Sequence, residues 1–219
     1  MKKIIPSFLT ILNLVCGCLA IALAFQFQFE AVLILVCLGV FFDFLDGLAA
    51  RALDAVTNFG KHLDSITDVI TSGVVPGIIV YQLFKLSGNK VFDFEVYAFG
   101  YDLIFSLSPI SFIGFLITIA SAIRLSKYNT LTRSDEFIGL PTPANAIFFA
   151  SLPVLINSDI LIDSKEIFLN NYFLIGSVIS SVILMNSPFR LFSFKAIFKD
   201  FQSNVYQILL ILISIPILI

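Results

Sequence analysis

Apolar stretches long enough to cross a lipid bilayer recur along this chain, near residues 6–25, 31–50, 65–86, 103–123, 143–158, 168–186 and 205–219. A helix that spans the hydrocarbon layer needs about 20 mostly apolar residues. Short polar or Gly/Pro-containing stretches separate the segments. The pattern predicts an all-α integral membrane protein of one domain over 1–219. Six or seven spans are expected, the last of them a short C-terminal apolar segment. Composition points the same way. Of 219 residues, 58% are hydrophobic and only 13% charged, where a soluble domain has about 25% charged. So few charges cannot clothe a water-soluble surface, which excludes a soluble enzyme and a disordered chain. The net charge of −2 argues against a nucleic-acid partner. Cys16, Cys18 and Cys37 lie in apolar runs without ligand spacing and read as packing residues.

Lys2 and Lys3 ahead of an apolar run ending Ala22-Leu23-Ala24 give the outline of a secretory signal. The run is long enough to span, contains Pro6, Asn13 and Gly17, and is followed by further spans, so it reads as the first transmembrane helix. Cation placement then sets orientation. With the N-terminus in the cytoplasm, that side holds Lys2, Lys3, Arg51, Lys61, Arg124, Lys127, Arg133, Arg190, Lys195 and Lys199. The other side holds Lys85, Lys90 and Lys165, which completes the 13. A cytoplasmic N-terminus is therefore expected. Residues 187–204 mix Phe with cations and read as an amphipathic segment on the cytoplasmic face. Residues 205–219 form a short last span.

Ionisable groups inside spans are costly and mark function. Asp43 and Asp46 end the second span, and Asp64 and Asp68 open the third. The spacings i, i+3 and i, i+4 put each pair on one helix face. A short connection makes the two helices antiparallel neighbours, so the acidic stripes can face each other. Four carboxylates at close range repel in a low dielectric, and a divalent cation is the natural counter-charge. Oxygen ligands select Mg²⁺, Mn²⁺ or Ca²⁺ over zinc. Carboxylate-held metals commonly work on phosphates. The residues alone thus point to metal-dependent phosphoryl chemistry, with ion-coupled transport as the other class that uses intramembrane carboxylates. The carboxylates cluster at one surface and no paired half is visible, which disfavours transport.

Asp43, Asp46, Gly47, Ala50, Arg51, Gly60, Asp64 and Asp68 read D-x2-D-G-x2-A-R-x8-G-x3-D-x3-D. This resembles the signature of the CDP-alcohol phosphotransferases at every position. The resemblance implies six core helices, a homodimer in a bacterial inner membrane, and an active site open to the cytoplasm. It also implies a reaction in which a CDP-linked lipid gives its phosphatidyl group to an alcohol and CMP leaves. By the same resemblance Asp43, Asp46 and Asp64 are metal ligands for two Mg²⁺ or Mn²⁺ ions. Asp68 is the catalytic base and shares the metal set. Gly47, Ala50, Arg51 and Gly60 bind the donor, together with Ser7 and Thr10.

Three further stretches are similar to the membrane-integrated phosphatidylserine synthase branch: Pro6–Ile21, Ala122–Thr130 and Ile138–Ala146. They imply CDP-diacylglycerol and L-serine as substrates. Ser7 departs from the usual Asn, and Lys127 from the usual Arg, which removes a bidentate option. The acceptor is expected near Arg124, Lys127, Asn129, Pro141 and Thr142, with Arg124 holding the serine carboxylate. Plainer roles compete at these positions. Arg124 and Lys127 also fit membrane-surface anchors, Pro141 fits a helix start, and His62 fits an interfacial position. Within the same chemistry the alternative is phosphatidylglycerophosphate synthesis from glycerol 3-phosphate.

Overall fold

The structure, a computed structural model, describes residues 4–98, 101–130, 137–157, 165–188 and 190–191. Helix α1 (Ile4–Phe25) turns through Phe27 into α2 (Phe29–Ala52). Helix α3 (Asn58–Asp68), a π-helical turn (Val69–Val74) and α4 (Val75–Leu86) then run on without a break. Strands β1 (Phe92–Ala98) and β2 (Tyr101–Leu107) form an antiparallel hairpin. A 3-10 turn (Pro109–Gly114) leads into α5 (Phe115–Thr130). Among the described residues the remaining helices are α6 (Thr142–Asn157), the short α7 (Lys165–Phe168) and α8 (Asn171–Asn186). The two-residue strands β3 (Phe137–Ile138) and β4 (Arg190–Leu191) pair beside them.

Among the described residues, four helices are long and apolar enough to cross a membrane: Ile4–Phe25, Phe29–Ala52, Asn58–Leu86 and Pro109–Tyr128. Thr142–Asn157 and Asn171–Asn186 are shorter apolar helices. The protein is a multi-pass membrane protein built mainly of helix. The short span expected at 205–219 and nearly all of the amphipathic stretch at 187–204 fall outside the described residues.

The span expected near 103–123 is corrected. Residues 101–107 belong to β2, and the helix begins only at Pro109. Hydropathy alone does not separate a strand from a helix, but period does. Phe92-Asp93-Phe94-Glu95-Val96 alternates strictly, and Pro109, with no N–H to give a ladder, suits a first helical turn.

The helices are sorted with their small and polar residues inward. On α1 the buried residues are Pro6, Thr10, Asn13, Cys16, Gly17, Ala20 and Ala24, while Phe8, Ile11, Val15 and Leu19 are exposed. On α2 the buried stripe Phe29, Val32, Val36 and Gly39 carries on through half-buried Asp43 to buried Asp46. A soluble helix shows the reverse arrangement. Small residues let membrane helices approach closely, and large apolar side chains are comfortable against lipid. Buried apolar groups of α1, α2, α4, α5, α6 and α8 form the core, in which Val75, Ile79, Leu83 and Phe84 of α4 are fully buried.

Close approach is tightest where the π turn meets α1 and α2. Thr71 donates its hydroxyl to the Asn13 carbonyl at 3.3 Å. A Cβ on Gly17 would lie 2.6 Å from Thr71 Oγ1, and one on Gly39 would lie 2.8 Å from Thr71 Cγ2. Pro76 cannot donate to the turn before it, and the helix is widened just there. The Gly73 carbonyl at the widening accepts from Thr118 Oγ1 of α5 at 2.9 Å. Gly17→Ala should therefore cost about 1–3 kcal/mol by overpacking. Gly176→Ala is the matched control, since a Cβ there meets nothing within 4 Å. It should be neutral or add up to about 1 kcal/mol of helix propensity. Thermal unfolding in one detergent checks the opposite signs.

Candidate functional site

Two helices bring the acidic residues together. Asp43 comes from the last three turns of α2, and Asp64 and Asp68 come from α3. One carboxylate oxygen from each lies within 4.8 Å of the others, and all three residues are half-buried. Asp43 is within hydrogen-bonding range of both Asp64 and Asp68. Asp64 Oδ1 is buried and has no hydrogen-bond partner. Carboxylates packed this closely repel one another unless a cation joins them. Three hard oxygen donors, one of them unsatisfied, fit Mg²⁺, Mn²⁺ or Ca²⁺. The cluster can hold a divalent metal.

Asp46, the fourth expected ligand, lies outside this trio. It is buried on the same face of α2, where its Oδ2 accepts from Thr10 Oγ1 at 2.6 Å. Asp46 is still close enough to Asp64 for their charges to interact. The i, i+3 spacing allows this division. Residues three apart are separated by about 60° around a helix of 3.6 residues per turn, so Asp43 and Asp46 can favour different neighbours.

A cavity of about 210 Å³ opens beside the cluster. Its walls include Ser7, Thr10, Gly47, Ala50, Arg51 and Gly60, which are the residues expected to bind the donor, and also Asp46 and Asp64. Local chemistry shapes the rim. Thr57 caps α3 by accepting from the Gly60 N–H at 3.0 Å. Arg51 donates Nε to the Gly47 carbonyl at 2.9 Å, which holds its exposed guanidinium along the cavity. A Cβ on Gly47 would meet nothing closer than Arg51 Nη2 at 3.7 Å. The chain's own packing does not demand glycine there, so the missing side chain leaves space for something else.

The expected acceptor residues are placed less compactly. Arg124 is buried on α5, its guanidinium 5.2 Å from the Tyr128 ring centroid, and its charge interacts with Asp68. Lys127 is exposed one turn on. Asn129 is in the last turn of the same helix, but its side chain is outside the described set. Pro141 is half-buried just before α6, and Thr142 is buried at its first residue. His62 is exposed on α3.

The residue that sequence reading overlooked here is Asn13. It is buried on α1, its side chain is within hydrogen-bonding range of Asp68, and its Oδ1 has no partner. A Cβ on Gly39 would stand 2.9 Å from that oxygen. The signal was available in the spacing of Thr10, Asn13 and Gly17, which puts two polar residues on one face of an apolar run.

The family model for CDP-alcohol phosphatidyltransferases matches residues 3–183. The chain is similar to the CDP-diacylglycerol–serine O-phosphatidyltransferase of Bacillus subtilis (strain 168), with 33% identity over 144 residues, 64% of this chain and 69% of that one. It is similar to the archaetidylserine synthase of Methanothermobacter thermautotrophicus, at 34% over 150 residues, 67% of this chain and 56% of the relative. The CDP-diacylglycerol–serine O-phosphatidyltransferase of Methanocaldococcus jannaschii aligns at 34% over 160 residues, 72% of this chain and 65% of that one.

Proposed function

The chain belongs to the CDP-alcohol phosphatidyltransferase family, a family of phosphotransferases, and from that premise we propose that it makes phosphatidylserine. CDP-diacylglycerol gives its phosphatidyl group to the hydroxyl of L-serine, and CMP is released. The observation that carries this reading is the Asp43–Asp64–Asp68 cluster beside a cavity walled by Gly47, Ala50, Arg51 and Gly60. The names of the similar proteins supply the acceptor.

In this reading the cavity takes the CDP moiety. Gly47 and Gly60 let it approach the backbone, and Arg51 faces its phosphates. Asp43, Asp64 and Asp68 would hold Mg²⁺ or Mn²⁺, with Asp46 joining the set from beside Thr10. When bound, two such ions neutralise the diphosphate and favour loss of CMP. Asp68 takes the proton of the serine hydroxyl as its oxygen bonds to the phosphatidyl phosphorus. The bond from that phosphorus to the CMP oxygen breaks, and CMP leaves with the electron pair. An alcohol has a pKa far above 7, so a carboxylate in reach is needed. Arg124, beside Asp68, suits the serine carboxylate. Lys127, Asn129, Pro141 and Thr142 complete the acceptor side.

We further infer six core spans, a cytoplasmic N-terminus and site, and a homodimer in a bacterial inner membrane. The cation asymmetry supports the orientation, and the resemblance supports the rest.

CMP release by the purified protein tests the reading. CDP-diacylglycerol is supplied with Mn²⁺ or Mg²⁺, and L-serine is compared with glycerol 3-phosphate. Release should need both L-serine and metal. Release with glycerol 3-phosphate alone would keep the aspartate chemistry and overturn the acceptor.

A further inference from the structure

We propose that the hairpin Phe92–Leu107 is an interfacial membrane element, its Phe92–Phe94–Val96 face against lipid and its Asp93–Glu95–Tyr97 face in water. The two strands pair over seven consecutive positions, from Phe92 opposite Leu107 to Ala98 opposite Tyr101. Successive side chains on a strand point to opposite faces. Phe92, Phe94 and Val96 therefore share one face, and each is about half exposed, at 51%, 50% and 47%. Asp93, Glu95 and Tyr97 share the other and are also exposed, as is Asp102, the partner of Tyr97.

Among the described residues no helix packs broadly on either strand. A lone two-stranded hairpin with a bare aromatic face is marginal in water, so something must cover that face. Its position names the cover. The hairpin joins two helices long enough to cross the membrane, Asn58–Leu86 and Pro109–Tyr128. Five residues separate Leu86 from Phe92, and these reach at most about 18 Å when fully extended. The stem is held more tightly than that. Asn89 Nδ2 donates to the Phe84 carbonyl at 2.7 Å and to Asn171 Oδ1 at 2.9 Å, and Asn171 Nδ2 donates back to Asn89 Oδ1 at 2.6 Å. This double amide pair ties the end of α4 to the start of α8. Exposed Leu86 and Val91 carry the lipid-facing surface of α4 toward the strand. Exposed Lys85 and Lys90 stand where long cations reach headgroups.

The hairpin belongs at the interface rather than in the hydrocarbon layer. Both outer edges of a two-stranded sheet carry unpaired backbone groups, and these need water. The Asp68-to-Leu86 stretch rises by about 27 Å at 1.5 Å per residue. The hairpin is thus on the membrane face opposite the aspartates, and its test is independent of the substrate reading.

The chain has no tryptophan, so single reporters are clean. Phe94→Trp and Tyr97→Trp are placed in vesicles of phosphatidylcholine and phosphatidylglycerol and probed by fluorescence. Quenching by lipid bearing a nitroxide high on its acyl chain should be at least threefold stronger for Phe94→Trp than for Tyr97→Trp. Aqueous iodide should show the opposite order. Phe92→Trp, on the same face as Phe94, should repeat the result and guards against one variant that folds poorly. Equal iodide quenching at both positions overturns the proposal, because the hairpin is then in water. Shielding of Phe94→Trp from both quenchers also overturns it, because protein, such as a second copy, then covers the face.

Discussion

Asp68→Asn is expected to lower CMP release by about 10²–10⁴-fold, the range typical of a lost general acid or base, while donor binding changes only a few-fold. Asparagine keeps the size and polarity of the side chain but cannot take a proton. Asp68 touches Asp43 and Asn13 and interacts with Arg124, so it is the member of the acidic cluster nearest the expected acceptor side. A base needs that position. It must reach the acceptor hydroxyl while the donor phosphates are held by its neighbours. Turnover and binding of a CDP-lipid should therefore separate in this variant. Near-normal turnover would falsify the base assignment. A parallel loss of donor binding would instead make Asp68 chiefly a metal ligand.

Asp43→Asn is expected to act earlier, by weakening metal binding at least 10–100-fold. That is the range for losing a group that only supports a ligand, and a direct ligand should not cost less. Asp43 is the central member of the trio, in range of both Asp64 and Asp68. Mn²⁺ binding followed by electron paramagnetic resonance reads the affinity without turnover. CDP-lipid binding with and without metal should then lose its metal dependence. Unchanged Mn²⁺ affinity would remove the cluster as the metal site. Asp46→Asn belongs in the same titration. Its hydrogen bond to Thr10 holds it apart from the trio, so its effect tells whether a fourth carboxylate joins a bound ion.

Much of the candidate site was legible because it is local. Gly47, Ala50 and Arg51 follow Asp46 within two helical turns, and Gly60 precedes Asp64 by one. Helical period alone assigns them to faces. The short link from Ala52 to Asn58 then leaves little choice but to bring the faces together. Ser7 and Thr10 are different. They lie some forty residues away in sequence, and no spacing rule carries them to the cavity. Resemblance supplied them, and the packing of α1 on α2 puts them in its wall. Asn13 and Thr71 were missed for a related reason. Each looks like a stray polar residue in an apolar run until the glycines opposite are seen to make room for it.

By itself the sequence determined the membrane class, the family and the pairing of two acidic stripes. These follow from hydropathy and from spacings of three and four, which act within single helices and need no knowledge of neighbours. Tertiary structure alone decided which carboxylates meet, that Asp46 turns to Thr10, and that Asn13 is beside Asp68. It also decided that Phe92–Ala98 and Tyr101–Leu107 pair as strands. Those outcomes depend on contacts between segments far apart in the chain, where a missing Cβ at Gly17 or Gly39 sets how closely two helices approach. That distance is a property of two surfaces together, and neither surface's sequence contains it.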